Sequence, residues 1–241
     1  MKFALIMGAS GGIGQAIAFE LAQDGWSLYL HYNNGKDTVE QQIKELQEQF
    51  PKQDFFALQM DMKREETVSK LVEKLFQVDA VIFASGFTEY HLLTEVSAAE
   101  MHDLLAVHLT TPIQIIQQLQ TKLARSEFGR VVFISSVYGE AGSAMEVMYS
   151  TAKGAQLAFV KAYSKEVASL GITVNALAPG AIETTMIQDF TPEELEALKE
   201  DIPVGRLGHV RDISFWVKQL VDKRSEYLTG QTITVSGGWL R

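Results

Sequence analysis

The chain has 241 residues, with 21 Lys and Arg against 30 Asp and Glu for a net charge of −9, and it has no cysteine. An acidic protein without a basic run lacks the surface that draws nucleic acid, and the missing thiols exclude disulfides, thiolate zinc sites and cysteine nucleophiles. Hydrophobic residues at 46% and charged residues at 21% match an ordinary globular domain and exclude a disordered chain. The first apolar run, Phe3–Met7, is ended by Gly8 and Gly11-Gly12, too early for a secretion signal. The uncharged stretch from Leu104 to Thr121 holds His108, Pro112 and four glutamines, too polar for a membrane span. A cytoplasmic protein with no membrane or nucleic-acid partner and no metal is expected.

Short apolar runs read as strands at Phe3–Met7, Leu28–Tyr32, Phe55–Gln59, Ala80–Phe83, Val131–Ser135, Thr173–Leu177 and Thr232–Val235. Between them Gly14–Asp24, Lys36–Gln49, Glu65–Phe76, Ser97–Arg125, Tyr149–Ser169 and His209–Val221 read as helices. Strands apolar at consecutive positions, alternating with helices, predict a parallel sheet covered on both faces. The expectation is an α/β fold: one doubly wound, Rossmann-type domain over residues 1–241, with about seven strands and ligands outside their carboxyl ends. Residues 182–203 break the alternation, and Thr191-Pro192-Glu193-Glu194 reads as a helix start with an N-cap, a proline and acids in the first turn. That segment is a candidate lid over the ligand, or an ordinary surface excursion.

Directly after the first strand stands Gly8-Ala9-Ser10-Gly11-Gly12-Ile13-Gly14, followed by a helix. Glycines here let the chain turn tightly and bring backbone N–H groups and a helix N-terminus against a pyrophosphate. The GxxxGxG spacing resembles the short-chain dehydrogenase/reductase family. That resemblance implies a nicotinamide cofactor held by Gly8, Ser10, Gly12, Ile13 and Gly14, although Met7 stands where the family usually has a threonine, which predicts weaker anchoring of the turn. NAD-specific members place an acid at the end of the second strand, whereas this chain has Tyr32 and Asn33 and no acid before Asp37, so NADP(H) is favoured over NAD(H). The basic residue of many NADP enzymes in the glycine loop is Gly11 here. Asp61 matches the family aspartate beside the adenine, or serves as an N-cap before Glu65.

Ser136 follows strand five, Tyr149 comes thirteen positions later and Lys153 four beyond that, on the same helix face. Reducing a ketone leaves an alkoxide that needs a proton, and a phenol delivers it where a nearby cation stabilises phenolate. Lys153 supplies that charge and holds the nicotinamide ribose, and Ser136 donates to the carbonyl oxygen. The resemblance then spans nearly the whole chain, through Asn175-Ala176-Leu177-Ala178-Pro179-Gly180 and the ending Leu228-Thr229-Gly230-Gln231 with Gly237-Gly238, and is most similar in broad pattern to 3-oxoacyl-[acyl-carrier-protein] reductases. It adds Pro179, Gly180, Ile182 and Thr184 beside the nicotinamide, and it implies pairing of the two longest helices into homodimers or homotetramers.

The chain departs from the family at two places. Phe83-Ala84-Ser85-Gly86 replaces Asn-Asn-Ala-Gly after strand four, so Ala84 and Gly86 keep the backbone contact with the cofactor while amide contacts are lost. His108 replaces the catalytic asparagine, where it either supports a proton-relaying water near Lys153 and titrates near neutral pH, or fills the kink above Pro112. These changes support a non-catalytic NADP(H)-binding sensor as the alternative to an NADPH-dependent ketone reductase, against which stand the intact Ser136, Tyr149 and Lys153. The arginines with which such reductases meet an acidic carrier protein are Glu127 and Leu170 here, while Glu140 and Glu146 follow Ser136 and suit a cationic substrate or solvated surface. The stretches at 25–33 and 149–156 resemble the elongation factor P 5-aminopentanone reductase subgroup, which implies a protein-borne ketone, with a 3-oxoacyl thioester or a small ketone as the alternative substrate.

Overall fold

A computed structural model describes residues 1–187 and 190–239. Its seven strands are β1 (Lys2–Met7), β2 (Trp26–Tyr32), β3 (Phe55–Gln59), β4 (Ala80–Phe83), β5 (Gly129–Ile134), β6 (Ile172–Pro179) and β7 (Thr232–Val235). They form one sheet in the order β3-β2-β1-β4-β5-β6-β7, every neighbouring pair parallel. The helices that connect them are α1 (Gly12–Gln23), α2 (Lys36–Gln49), α3 (Val68–Glu73), α4 (Ala98–Leu105), α5 (Thr111–Arg125), α6 (Tyr138–Ala141), α7 (Val147–Val167), α8 (Pro192–Asp201) and α9 (Val210–Val221).

The strands are apolar throughout because both faces are covered. Phe3, Leu5 and Met7 of β1 pack into a cluster with α3, α5 and α7, and Ala4 and Ile6 pack into a second cluster with α1, α2 and α9. Strand order reverses between β1 and β4, so the loops leaving these two strands diverge and open a crevice at the carboxyl edge.

The helix predicted over 97–125 is three pieces: α4, a π-helical turn Ala106–Thr110, and α5. Pro112 has no N–H to give the carbonyl of His108 four residues earlier, and the helix widens there. The stretch 65–76 is a 3₁₀ turn, Glu65–Thr67, followed by a short α3, and α6 is an element the periodicity did not predict. The expected start of α8 stands: Thr191 Oγ1 accepts from the Glu194 N–H at 3.2 Å, and the Glu194 carboxylate accepts from the Thr191 N–H at 2.8 Å. No helix among the described residues is long and apolar enough to cross a membrane.

At the amino edge of the sheet, Asp79 ties three strands together. Its carboxylate accepts from the Phe3 N–H at 2.7 Å, the Gln77 amide at 2.8 Å and the Ser126 hydroxyl at 2.6 Å, while its backbone bonds Phe3 and Arg130. Asp79→Ala strands a buried N–H and should lower unfolding free energy by about 2–3 kcal/mol in urea titration. Cofactor affinity should hold, because the residue lies at the opposite edge from the crevice.

Candidate active site

The crevice at the carboxyl edge is walled at one end by Gly8, Ser10, Asn33 and Asp61 and at the other by Ser136, Tyr149 and Lys153, with Ala84, Ser85 and Gly86 shared between the two halves. Gly8 has φ +84, and a Cβ on it would lie 2.6 Å from the Ser85 nitrogen, so the loops after β1 and β4 meet closely only because no side chain intervenes. A Cβ on Gly14 would fall 2.1 Å from the Gly8 carbonyl oxygen, and the start of α1 packs into that space. Gly11 caps α1 without a side-chain bond, so the first amide groups of the helix have no side-chain acceptor, and the buried hydroxyl of Ser85 has no partner among the described residues. This cradle fits a dinucleotide pyrophosphate.

The turn is anchored despite Met7. The Gly8 N–H donates to His31 Nδ1 at 3.1 Å, the Ala9 N–H donates to the His31 carbonyl at 2.8 Å, and His31 Nε2 donates to the Met60 carbonyl at 2.9 Å. An imidazole from β2 replaces the missing hydroxyl, so the expectation of a weak turn is corrected, and His31 is a functional residue the sequence reading missed. Burial pushes its pKa down to about 4, which keeps Nδ1 an acceptor. Among the other expected cofactor residues, Ile13, Pro179, Gly180, Ile182 and Thr184 line the half of the crevice that holds Tyr149, and Asn33 lines the other half. Gly12 lies behind the wall, where a Cβ would sit 3.5 Å from Thr184. Tyr32 packs on the core layer of α1 and α2. Asp61 does not cap the turn at Glu65, whose cap is Arg64; its carboxylate accepts from the Lys63 N–H at 3.0 Å and pairs with Arg64 at 3.8 Å.

Just past the end of β5, Ser136 lines the same cavity as Tyr149 of α7. Burial, first of all, raises the Tyr149 phenol well above its usual range, Ser136 opposes this, and the Glu146 carboxylate adds to it. Lys153 Nζ donates to the Ile134 carbonyl at 2.8 Å and stands 5.4 Å from the Tyr149 ring centre, and burial lowers its pKa to about 7. Helix α7 is seated from both sides. The Ser135 hydroxyl donates to the Lys153 carbonyl at 3.0 Å, and Gln156 Nε2 donates at 2.6 Å to the His108 carbonyl that Pro112 leaves free.

His108 itself departs from expectation. Its ring is fully buried, lies against Gly86, meets the Tyr149 ring edge-on at 5.4 Å, and donates from Nε2 to the Phe87 carbonyl at 2.8 Å. Burial first, and the Lys153 charge next, push its pKa down to about 3, so it does not titrate near neutrality. It has no hydrogen bond to Lys153, and it clamps the segment after β4 in place of the family's amides. Of the two glutamates, Glu146 lines the cavity with Tyr149, while exposed Glu140 reaches Thr234 at 3.4 Å. From the candidate lid, Ile187, Phe190 and Leu198 line the same cavity; its residues 188 and 189 lie outside the described residues.

Residues 8–240 match the family model described as enoyl-(acyl carrier protein) reductase. The uncharacterized oxidoreductase YmfI of Bacillus subtilis (strain 168) is 39% identical over 239 residues, which span 99% of this chain and 98% of that protein. The 3-oxoacyl-[acyl-carrier-protein] reductase FabG of Staphylococcus epidermidis is 31% identical over 241 residues, 98% of each chain. Among solved structures, YwfH, an NADPH dependent reductase involved in bacilysin biosynthesis, has a TM-score of 0.93 at 25% identity, covering 100% of this chain and 98% of that one.

His31 and His108 are both neutral in the folded state and regain an ordinary pKa near 6.5 on unfolding. The unfolded chain therefore binds more protons below that value, and their contribution to stability is complete above pH 6.5 and lost as pH falls toward 4. Between pH 6 and 5 the unfolding free energy should fall by up to about 1.4 kcal/mol per pH unit for each histidine. Urea titrations should give a slope that drops by about half in His108→Asn; an unchanged slope would show that His108 is not a neutral buried group.

Proposed function

The chain belongs to the short-chain dehydrogenase/reductase family, and we propose that within it the protein reduces a ketone to an alcohol with NADPH. The observation that carries this reading is that Ser136, Tyr149 and Lys153 line one cavity, which shares Ala84, Ser85 and Gly86 with the dinucleotide cradle. Bound NADPH supplies the hydride. The Ser136 hydroxyl donates to the ketone oxygen and orients it, and Tyr149 delivers its proton to that oxygen as negative charge grows there. A phenol raised by burial gives up its proton only against a compensating charge, and Lys153, four residues along the same helix face, provides it. Ser135, Ile134 and Gln156 act by holding α7 and the lysine in position.

NADP(H) is preferred because the crevice end at Asn33 carries no acid on β2 to repel a 2′-phosphate, and the solved relative YwfH is described as NADPH dependent. The two long helices α5 and α7 lie on the same face of the sheet and support pairing of two copies. Tyr149→Phe should leave NADPH binding within about twofold, read by fluorescence titration, and cut turnover of a ketone substrate by about 100- to 10,000-fold. Turnover at the parental rate would remove Tyr149 from its role, and NADPH binding without turnover of any ketone would favour a sensor.

For the substrate, the resemblance to elongation factor P 5-aminopentanone reductases supports a ketone carried on that factor. Glu127 and Leu170 are exposed where carrier-protein docking would need arginines, and a chain at −9 repels an acidic carrier. The full-length similarity to FabG supports a 3-oxoacyl thioester instead. Intact-mass analysis of elongation factor P from cells lacking this protein separates the two. Accumulation of a form two hydrogens lighter is expected on the first reading, and an unchanged mass supports the thioester.

A further inference from the structure

Glu146 is 4% exposed, immediately precedes α7, and lines the cavity of about 180 Å³ that also holds Ser136 and Tyr149. Its carboxylate accepts from the Thr88 hydroxyl at 2.7 Å and from the Ser143 hydroxyl at 3.1 Å. Among the described residues no Lys, Arg or His pairs with it. An ionised carboxylate accepts about four hydrogen bonds, so two hydroxyls satisfy only about half of it. Neutral donors also leave its charge uncompensated, and burying a lone charge is costly unless a partner of opposite sign arrives.

The neighbours of Glu146 are aromatic. Tyr90 and Tyr138 line the same cavity, Tyr90 beside Phe190 at 6.4 Å and Tyr138 beside Trp239 at 5.7 Å between ring centres. Both phenols are raised, first by burial and next by the Glu146 charge, Tyr90 to about 12. A buried carboxylate in a cavity shared with aromatic rings attracts a compact cation, whereas a neutral acyl chain would be buried against an uncompensated charge.

We propose that this part of the cavity is an alkylammonium site, in which Glu146, in the cavity it shares with Tyr90 and Tyr138, takes a protonated primary amine carried by the ketone substrate. The site deepens the reductase reading, on which it rests for the ketone, and makes Glu146 the residue that selects an amino ketone over an uncharged one. The charge is internal to the pocket, so the selectivity belongs to the first few atoms beyond the carbonyl and not to the acidic exterior.

The test compares NADPH oxidation with 4-(aminomethyl)acetophenone and with its uncharged near-isostere 4-ethylacetophenone. The parent should prefer the ammonium ketone by about 30-fold or more in kcat/KM, mostly through KM, as expected for a desolvated charge pair. The preference should persist in molar salt, which screens exposed acids, and should collapse in Glu146→Gln. Equal use of the two ketones by the parent, or a preference retained in Glu146→Gln, would overturn the site while leaving the reductase reading standing. If neither ketone is turned over, calorimetry with n-pentylammonium on the NADP⁺-saturated protein decides. Binding that Glu146→Gln abolishes supports the site, and no binding by the parent refutes it.

Discussion

Proline at 112 leaves the carbonyl of His108 without the donor that a regular helix would bring to it from four residues on, and the seating of the helix that bears Tyr149 and Lys153 depends on that missing N–H. The chain widens into a π turn over Ala106–Thr110, and the freed carbonyl takes a hydrogen bond from Gln156 on the neighbouring helix. A buried carbonyl must find a donor, so helix α7 is held at one register against α5, and Tyr149 and Lys153 stand on the turns just before the contact. The same turn aims the His108 ring at Gly86 and Phe87, which places the loop after β4 against the glycine loop. One absent hydrogen thus couples the helix that bears Tyr149 and Lys153 to the loop that borders the glycine cradle.

The site is also costly in electrostatic terms. A phenol forced upward by burial stands beside a lysine forced down to about 7, with a buried carboxylate on the far wall. Buried ionisable groups shifted in this way add little to the stability of the fold and mark the cavity as a candidate reactive site. The stability that supports them comes from the two apolar layers and from ties at the far edge, such as the Asp79 carboxylate with its three donors. Separating the stabilising edge from the reactive edge is what a doubly wound parallel sheet permits, because all carboxyl ends lie on one side.

This chain departs from the family pattern at two positions where the backbone carries the contact. Replacement of the two asparagines after β4 by Phe83 and Ala84 leaves the loop in place, since its approach to Gly8 depends on backbone and on the His108 clamp. Replacement of the threonine before the glycine loop by Met7 is met by His31 from the adjacent strand. In both cases an imidazole that burial keeps neutral supplies hydrogen bonds that a smaller polar side chain would otherwise make.

Alternation of apolar runs with helical stretches was enough to read seven strands, the parallel sheet and the glycine cradle, because those signals are local: periodicity, turn residues and fixed spacing. Ser136, Tyr149 and Lys153 were legible for the same reason, two of them sharing a helix face and the third ending a strand. The capping box at Thr191 was legible too, since its two hydrogen bonds span three residues. The break of the helix over 97–125 was half visible in Pro112, but its consequence depends on Gln156, 48 positions from His108, and no local pattern pairs them. The roles of His31 and His108 depended on burial, which lowers an imidazole's pKa only once strands and helices close around it. Glu140 and Glu146 read alike in the sequence, and only the tertiary structure sent one to the surface and the other, with Thr88 from a distant loop, into the cavity. Spacing along the chain determines which side chains share an element; packing between elements decides which of them lose water, and loss of water sets what a charge can do.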